Sequence, residues 1–209
     1  MIMGNSRRRT LLMGGCCMLV AVTVFALLAM ALAREELERM DRTGAALVDQ
    51  LRTPAATLFF AAVTWMGSSL VLVPLSAVIA WWYHTRRRRR LVAPLMFGPV
   101  GAVLVQNVLK PLFDRTRPEA GVLAELGPSF PSGHSMASAA VWLSLGYMLV
   151  REHALPTYTM IIAVLLVALV GISRVYLGVH WTSDVIAGWS TGVMIAVTSM
   201  WLYERAREG

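Results

Sequence analysis

Six long apolar runs divide the chain, at residues 11–33, 55–83, 91–113, 131–150, 155–172 and 184–203. A helix needs about 20 apolar residues to cross a bilayer core, and these runs have that length or come close to it. The segments between them are different in kind. Residues 34–53 are charged and mixed, with Leu47, Val48 and Leu51 at helical spacing. That pattern predicts a short helix lying on the membrane surface, a plain connecting loop being the alternative. Residues 114–130 are polar and contain Pro118, Gly121, Gly127 and Pro128, which predicts a loop. No internal repeat or composition break suggests a second unit. The expected fold is therefore all-α: a polytopic membrane protein of six transmembrane helices, one domain over residues 1–209.

Composition agrees with this pattern. Hydrophobic residues make up 57% of the 209, charged residues only 15%, and the mean hydropathy is +0.62. Arg7 to Arg9 followed by the first run, with Ala31-Leu32-Ala33 at its end, have the layout of a signal peptide. The apolar stretch exceeds the ~7–15 residues of a signal core, so an uncleaved span is expected instead. The net charge of +7 could suggest a nucleic-acid partner, but the arginines sit in blocks between apolar runs. With the N-terminus in the cytoplasm, the inner segments hold eleven arginines: Arg7 to Arg9, Arg86 to Arg90, Arg151, Arg205 and Arg207. The outer segments hold five, Arg34, Arg39, Arg42, Arg52 and Arg115, apart from the motif cations described next. This asymmetry puts both termini on the cytoplasmic side of the membrane and argues against a nucleic-acid partner. Cys16 and Cys17 are adjacent within the first run, which excludes a disulfide framework and leaves them as small hydrophobes. Oligomeric state has no signature here.

The chemistry lies in three stretches: 110–118, running from Lys110 to Arg117-Pro118; Pro131-Ser132-Gly133-His134; and 173–184, with Ser173-Arg174, His180 and Asp184. In the six-span topology all three emerge on the outer face. Together they bring three cations, two imidazoles and one carboxylate to one depth. Lys110, Arg117 and Arg174 can neutralise the oxygens of a phosphate, the guanidinium groups by bidentate contacts. Ser132 and Gly133 open a helix whose free N–H groups attract an anion. His180 is the candidate nucleophile, because Asp184 lies four residues on and can fix its tautomer. His134 is the candidate general acid and base. Taken singly, each has an ordinary explanation: a snorkelling arginine, a close-packed Ser-Gly, a structural histidine. Their coincidence does not. His84 and His153 fall on the opposite side and are assigned no chemistry.

These motifs resemble those of the type 2 phosphatidic acid phosphatase superfamily of membrane lipid phosphatases. Its signature reads Lys, six residues, Arg-Pro; then Pro-Ser-Gly-His; then Ser-Arg, five residues, His, three residues, Asp, and every part is present. The resemblance implies His180 as nucleophile, His134 as acid and base, and Asp184 as the residue that orients the nucleophile. It further implies Lys110, Arg117, Ser132, Gly133 and Arg174 as phosphate-binding residues, with no metal or other cofactor. The short chain and its Gly171–His180 run look most like bacterial members, which act on undecaprenyl diphosphate or phosphatidylglycerophosphate. The expected reaction is hydrolysis of undecaprenyl diphosphate through a phosphohistidine at the extracytoplasmic face. Phosphatidylglycerophosphate or phosphatidic acid are alternative substrates, and lipid-to-lipid phosphotransfer is an alternative reaction with the same motifs. A haloperoxidase using a similar anion cradle is disfavoured by the six apolar runs, and a non-catalytic lipid binder by the intact imidazoles and carboxylate.

Overall fold

The computed structural model describes residues 3–119, 121–123, 125–152 and 154–208, with side chains from 12 to 207. His153 lies outside the described residues. The chain forms helices α1 (Met3–Ala33), α2 (Glu38–Leu51), α3 (Pro54–Val63), α4 (Ser69–Thr85), α5 (Val92–Phe113), α6 (Gly133–Arg151), α7 (Thr159–Tyr176) and α8 (Thr182–Glu208). Short 3₁₀ turns occupy Thr64–Gly67 and Arg89–Leu91. The fold is all-helical, as the hydrophobic pattern predicts.

Helix α6 is the hub, packed against α4, α5, α7 and α8, while α1 lies along α8 and α2 contacts α7 and α8. Polarity is inverted relative to a soluble bundle. Leu19, Leu70, Leu112 and Leu165 are all more than half exposed, whereas Ser135, Ser138, Ser144, Ser183 and Ser199 are buried. Such a surface is favourable only in lipid, where helices gain little from burying leucine and associate instead through small residues and close backbones. The α6–α8 seam shows why. A Cβ on Gly188 would come within 2.5 Å of the Ser132 carbonyl oxygen, and one on Gly192 within 2.5 Å of the Met136 oxygen. Any larger residue at either place would push the two helices apart.

Among the described residues, four helical stretches are long and apolar enough to cross a membrane: Leu12–Ala33, Arg89–Phe113, Thr159–Tyr176 and Thr182–Arg207. The run at 55–83 is not the continuous helix that its composition suggests. Pro54–Gly67 and Ser69–Thr85 meet at 45° and make a fifth span only when taken together. Ser68 causes the break: its backbone is extended and its Oγ accepts the Leu70 N–H at 3.3 Å, starting a new helix. Helix α6 is the remaining expected span. It is not among these stretches, because Ser135, Ser138 and Ser144 alternate with its apolar residues, and Met136, Ala139, Ala140 and Val141 are covered by protein rather than lipid. The run at 155–172 also shifts along the chain. Helix α7 begins at Thr159 and extends to Tyr176, so that Ser173 and Arg174 sit in its last turn rather than beyond it.

The charged segment after the first run does contain a helix, α2. Leu47 and Leu51 point away from the bundle, and the residue anchored inward is Asp41, only 2% exposed. Hydrophobic spacing predicts the helix but not its anchor.

Candidate active site

The three motifs converge at one end of the bundle. Helix α5 supplies Lys110 in its last turn and stops at Asp114, whose left-handed backbone (φ 38°, ψ 40°) turns the chain toward Arg115 and Arg117. Asp tolerates this conformation better than most residues. Ser132 is the N-cap of α6, so the first N–H groups of that helix have no partner within it. Gly133 lets the end of the Gln106 side chain lie where a Cβ would otherwise be. The Ser132 N–H donates to the Asp184 carbonyl at 2.9 Å, and the Ser135 hydroxyl donates to Ser132 Oγ at 3.0 Å. The start of α6 is thereby tied to the first turn of α8.

His180, in the short connection between α7 and α8, is 2% exposed. Its Nδ1 faces Asp184 Oδ2 at 3.4 Å, and its Nε2 lies 3.3 Å from Arg117 Nη1 and 3.9 Å from Glu125 Oε2. A guanidinium cannot accept a hydrogen bond, so this contact leaves the lone pair of the neutral ring on Nε2 and its proton on Nδ1. That is the tautomer a nucleophilic Nε2 requires. The Nδ1 atom has no formed hydrogen bond: 3.4 Å is close enough for attraction to Asp184 but longer than a bond. Burial pushes the His180 imidazole down to about 4, against the nearby charge of Asp184, which pulls it up. The ring is therefore neutral at neutral pH.

Arg174 is 1% exposed and donates from Nη1 to Thr64 Oγ1 at 2.6 Å and from Nη2 to Glu125. Its Nε is buried without a hydrogen-bond partner. Arg117 donates to Glu125 at 2.9 Å, to the Val179 carbonyl at 2.8 Å and to the Gly127 carbonyl at 3.0 Å. Lys110 interacts electrostatically with Arg117, Glu125, Arg174 and Asp184. His134 lies within electrostatic reach of Arg174, Glu125, His180 and Lys110. Gly67, at the break between α3 and α4, packs against it, since a Cβ there would sit 2.9 Å from the His134 carbonyl oxygen. All eight residues expected from the sequence thus fall in one cluster. Among the described residues no group of three or more His, Cys, Asp or Glu could hold a metal ion.

Four further residues belong to this cluster that sequence reasoning did not single out. Glu125 puts a carboxylate between Arg117 and Arg174, where an anion would sit. Thr64 holds Arg174 from the broken span. Arg115 was grouped with the ordinary outer arginines, yet its Nη1 donates to Asp184 Oδ1 and to Ser183 Oγ, each at 2.6 Å. Asp41, on α2, accepts from Arg115 Nη2 at 2.6 Å. The only signal in the sequence was Arg115's place inside the first motif, at a position whose identity the motif leaves open.

Known proteins resemble the chain in sequence and in overall fold. Phosphatidylglycerophosphatase B of Bacillus subtilis is 34% identical over 180 residues, covering 82% of this chain and 87% of that protein. An undecaprenyl-diphosphatase of Sulfolobus acidocaldarius is 40% identical over 74 residues, about a third of each chain. The crystal structure of the transmembrane PAP2-type phosphatidylglycerolphosphate phosphatase from Bacillus subtilis superposes with a TM-score of 0.80 at 31% identity, over 91% of this chain and 96% of that one. Aquifex aeolicus LpxE superposes with a TM-score of 0.57 at 26% identity, over 75% and 92% of the two chains. With the PAP2 superfamily profile matching residues 91–208, which hold every motif residue, the chain belongs to the PAP2 superfamily and is a membrane lipid phosphatase.

Proposed function

We propose that the chain hydrolyses the terminal phosphate of phosphatidylglycerophosphate through a phosphohistidine on His180, without a metal ion. The observation that carries the mechanism is the setting of His180, with Nδ1 toward Asp184 and Nε2 toward the Arg117–Arg174 pair. In this scheme Nε2 attacks phosphorus, the bond from phosphorus to the lipid oxygen breaks, and His134 gives that oxygen a proton. His134 then takes a proton from water, whose oxygen attacks phosphorus and breaks the P–N bond, so that inorganic phosphate leaves and His180 is neutral again. Lys110, Arg117, Arg174 and the N–H groups at the start of α6 neutralise charge on the phosphoryl oxygens throughout. A phosphate oxygen would also give the buried Nε of Arg174 its acceptor. As His180 becomes cationic, the 3.4 Å contact with Asp184 would shorten into a charged hydrogen bond.

Phosphatidylglycerophosphate is put first because the relative named for it matches most of the chain. Undecaprenyl diphosphate, the first expectation from the sequence, is the second reading and is favoured by the shorter match to the undecaprenyl-diphosphatase. The arginine asymmetry supports six spans, cytoplasmic termini and a site facing away from the cytoplasm, with the whole chain acting as one domain.

The test is phosphate release by the purified protein in detergent with EDTA present, on phosphatidylglycerophosphate, undecaprenyl diphosphate and phosphatidic acid. The expected result is turnover in EDTA, fastest on phosphatidylglycerophosphate and inhibited by orthovanadate. Activity restored only by added magnesium would overturn the metal-free scheme. Radiolabel passing to an added acceptor lipid instead of to water would identify a phosphotransferase.

A further inference from the structure

A chain of buried charges links helix α2 to the candidate nucleophile through Asp41, which lies outside the three motifs, and Arg115, at a position whose identity the first motif leaves open. Asp41 is 2% exposed. Its Oδ1 accepts the Ser183 N–H at 2.9 Å, and its Oδ2 accepts from the Ser183 hydroxyl at 2.8 Å and from Arg115 Nη2 at 2.6 Å. Asp41 therefore caps the first turn of α8 from another helix, 142 residues away in sequence. The other guanidinium nitrogen of Arg115, Nη1, holds Asp184 Oδ1 at 2.6 Å, and the Trp181 N–H holds Oδ2 at 2.9 Å. Only the second of these oxygens faces His180. Arg115 also stacks over the Trp181 ring at 5.7 Å, which fixes the plane of its fork.

We propose that Asp41 and Arg115 are positioning residues for the His180–Asp184 pair, so that α2 forms part of the reaction machinery instead of merely joining two spans. Two physical effects follow from the geometry. A carboxylate held only by the Trp181 N–H could rotate about its Cβ–Cγ bond, whereas a second donor on Oδ1 keeps Oδ2 aimed at the imidazole. Charge balance is the other effect. Arg115 alone would offset the negative charge of Asp184 and weaken its support for an imidazolium, and Asp41 restores that charge. The order Asp41⁻, Arg115⁺, Asp184⁻, His180 alternates, and each member is held by its neighbour.

A cavity of about 460 Å³ borders Asp41, Arg115 and Trp181, which raises the competing idea that Arg115 binds the substrate directly. Kinetics separate the two. Both ideas rest on the reading of His180 as nucleophile, and the experiment tests that reading independently through Asp184→Asn.

The experiment is a double-mutant cycle measuring kcat and KM for phosphate release from phosphatidylglycerophosphate by the full-length protein. Its variants are Asp41→Asn, Arg115→Lys, Asp184→Asn and the two pairs that include Asp184→Asn. Asp41→Asn keeps the shape and the acceptor for the Ser183 N–H but loses the charge, and it should lower kcat roughly ten- to a hundredfold with KM nearly unchanged, the range typical of outer-shell partners. Arg115→Lys should do the same to a smaller degree. On the Asp184→Asn background each should cost less than about twofold, because the group through which they act is already disabled. Defects that multiply across the cycle would overturn the proposal by showing that both residues act elsewhere, as would a raised KM with unchanged kcat in Arg115→Lys. If Asp41→Asn fails to fold, the Arg115→Lys arm decides alone. An Asp184→Asn variant with full activity would instead sink the reading of His180.

Discussion

Glu125 is a carboxylate in a place shaped for phosphate. Burial alone would raise its pKa, but the charge and hydrogen bond of Arg174 hold it down at about 2, while Arg117 pairs with its other oxygen. It is thus ionised at any working pH and competes with an incoming phosphoryl group for the same two guanidinium groups. Substrate binding must displace it or share Arg117 and Arg174 with it. Glu125→Gln removes the competing charge while keeping the shape, and orthovanadate should then inhibit roughly three- to thirtyfold more strongly, as expected for one nearby charge at intermediate dielectric. Inhibition that stays the same or weakens in this variant would mean that Glu125 does not share the anion position. Nothing in the sequence marks this glutamate. It lies in a loop without periodicity, and its role depends on where Arg117 and Arg174 meet.

Helices place these residues through close backbone contact, and this is where the sequence is only partly legible. The motif residues could be read because phosphate chemistry demands particular side chains at particular spacings. The broken span could not: Gly67-Ser68-Ser69 lies inside an apolar run whose hydropathy says only that it can cross a membrane. Its meaning comes from Thr64 reaching Arg174 and Gly67 reaching His134, both contacts between distant segments. Asp41 was hidden for the same reason, since hydrophobic spacing in α2 points to Leu47, Val48 and Leu51 and says nothing of a buried acid. Gly188 shows how tightly the elements are set, because its neighbour across the seam is the carbonyl of Ser132, the residue that opens α6. Gly188→Ala should lower both the thermal midpoint and kcat, with a stability cost of about 1–3 kcal/mol typical of overpacking. Gly15→Ala, where a Cβ would meet nothing within 4 Å, is the matched control. Equal behaviour of the two variants would show that the α6–α8 seam tolerates expansion.

At the scale of the molecule, the bundle exposes leucine and buries serine, a distribution that only a lipid surround favours. The orientation in that membrane follows from arginine placement. A variant with Cys16 and Cys17 replaced by serine, carrying a single cysteine at Glu119 or at Thr85, tests it in intact cells. An impermeant thiol reagent applied outside should label the Glu119 position and spare the Thr85 position, and the reverse pattern would invert the topology. The claim on which the whole functional reading turns is the covalent bond between phosphorus and His180. It is tested most directly by mixing the purified protein with ³²P-labelled phosphatidylglycerophosphate in EDTA, quenching within the first turnover, and looking for acid-labile, base-stable label on the protein. The expected result is label on His180 in the native protein, its accumulation on undecaprenyl diphosphate in His134→Ala, where the more acidic leaving group needs less help from a proton, and none in His180→Ala. Label that survives His180→Ala would contradict the account.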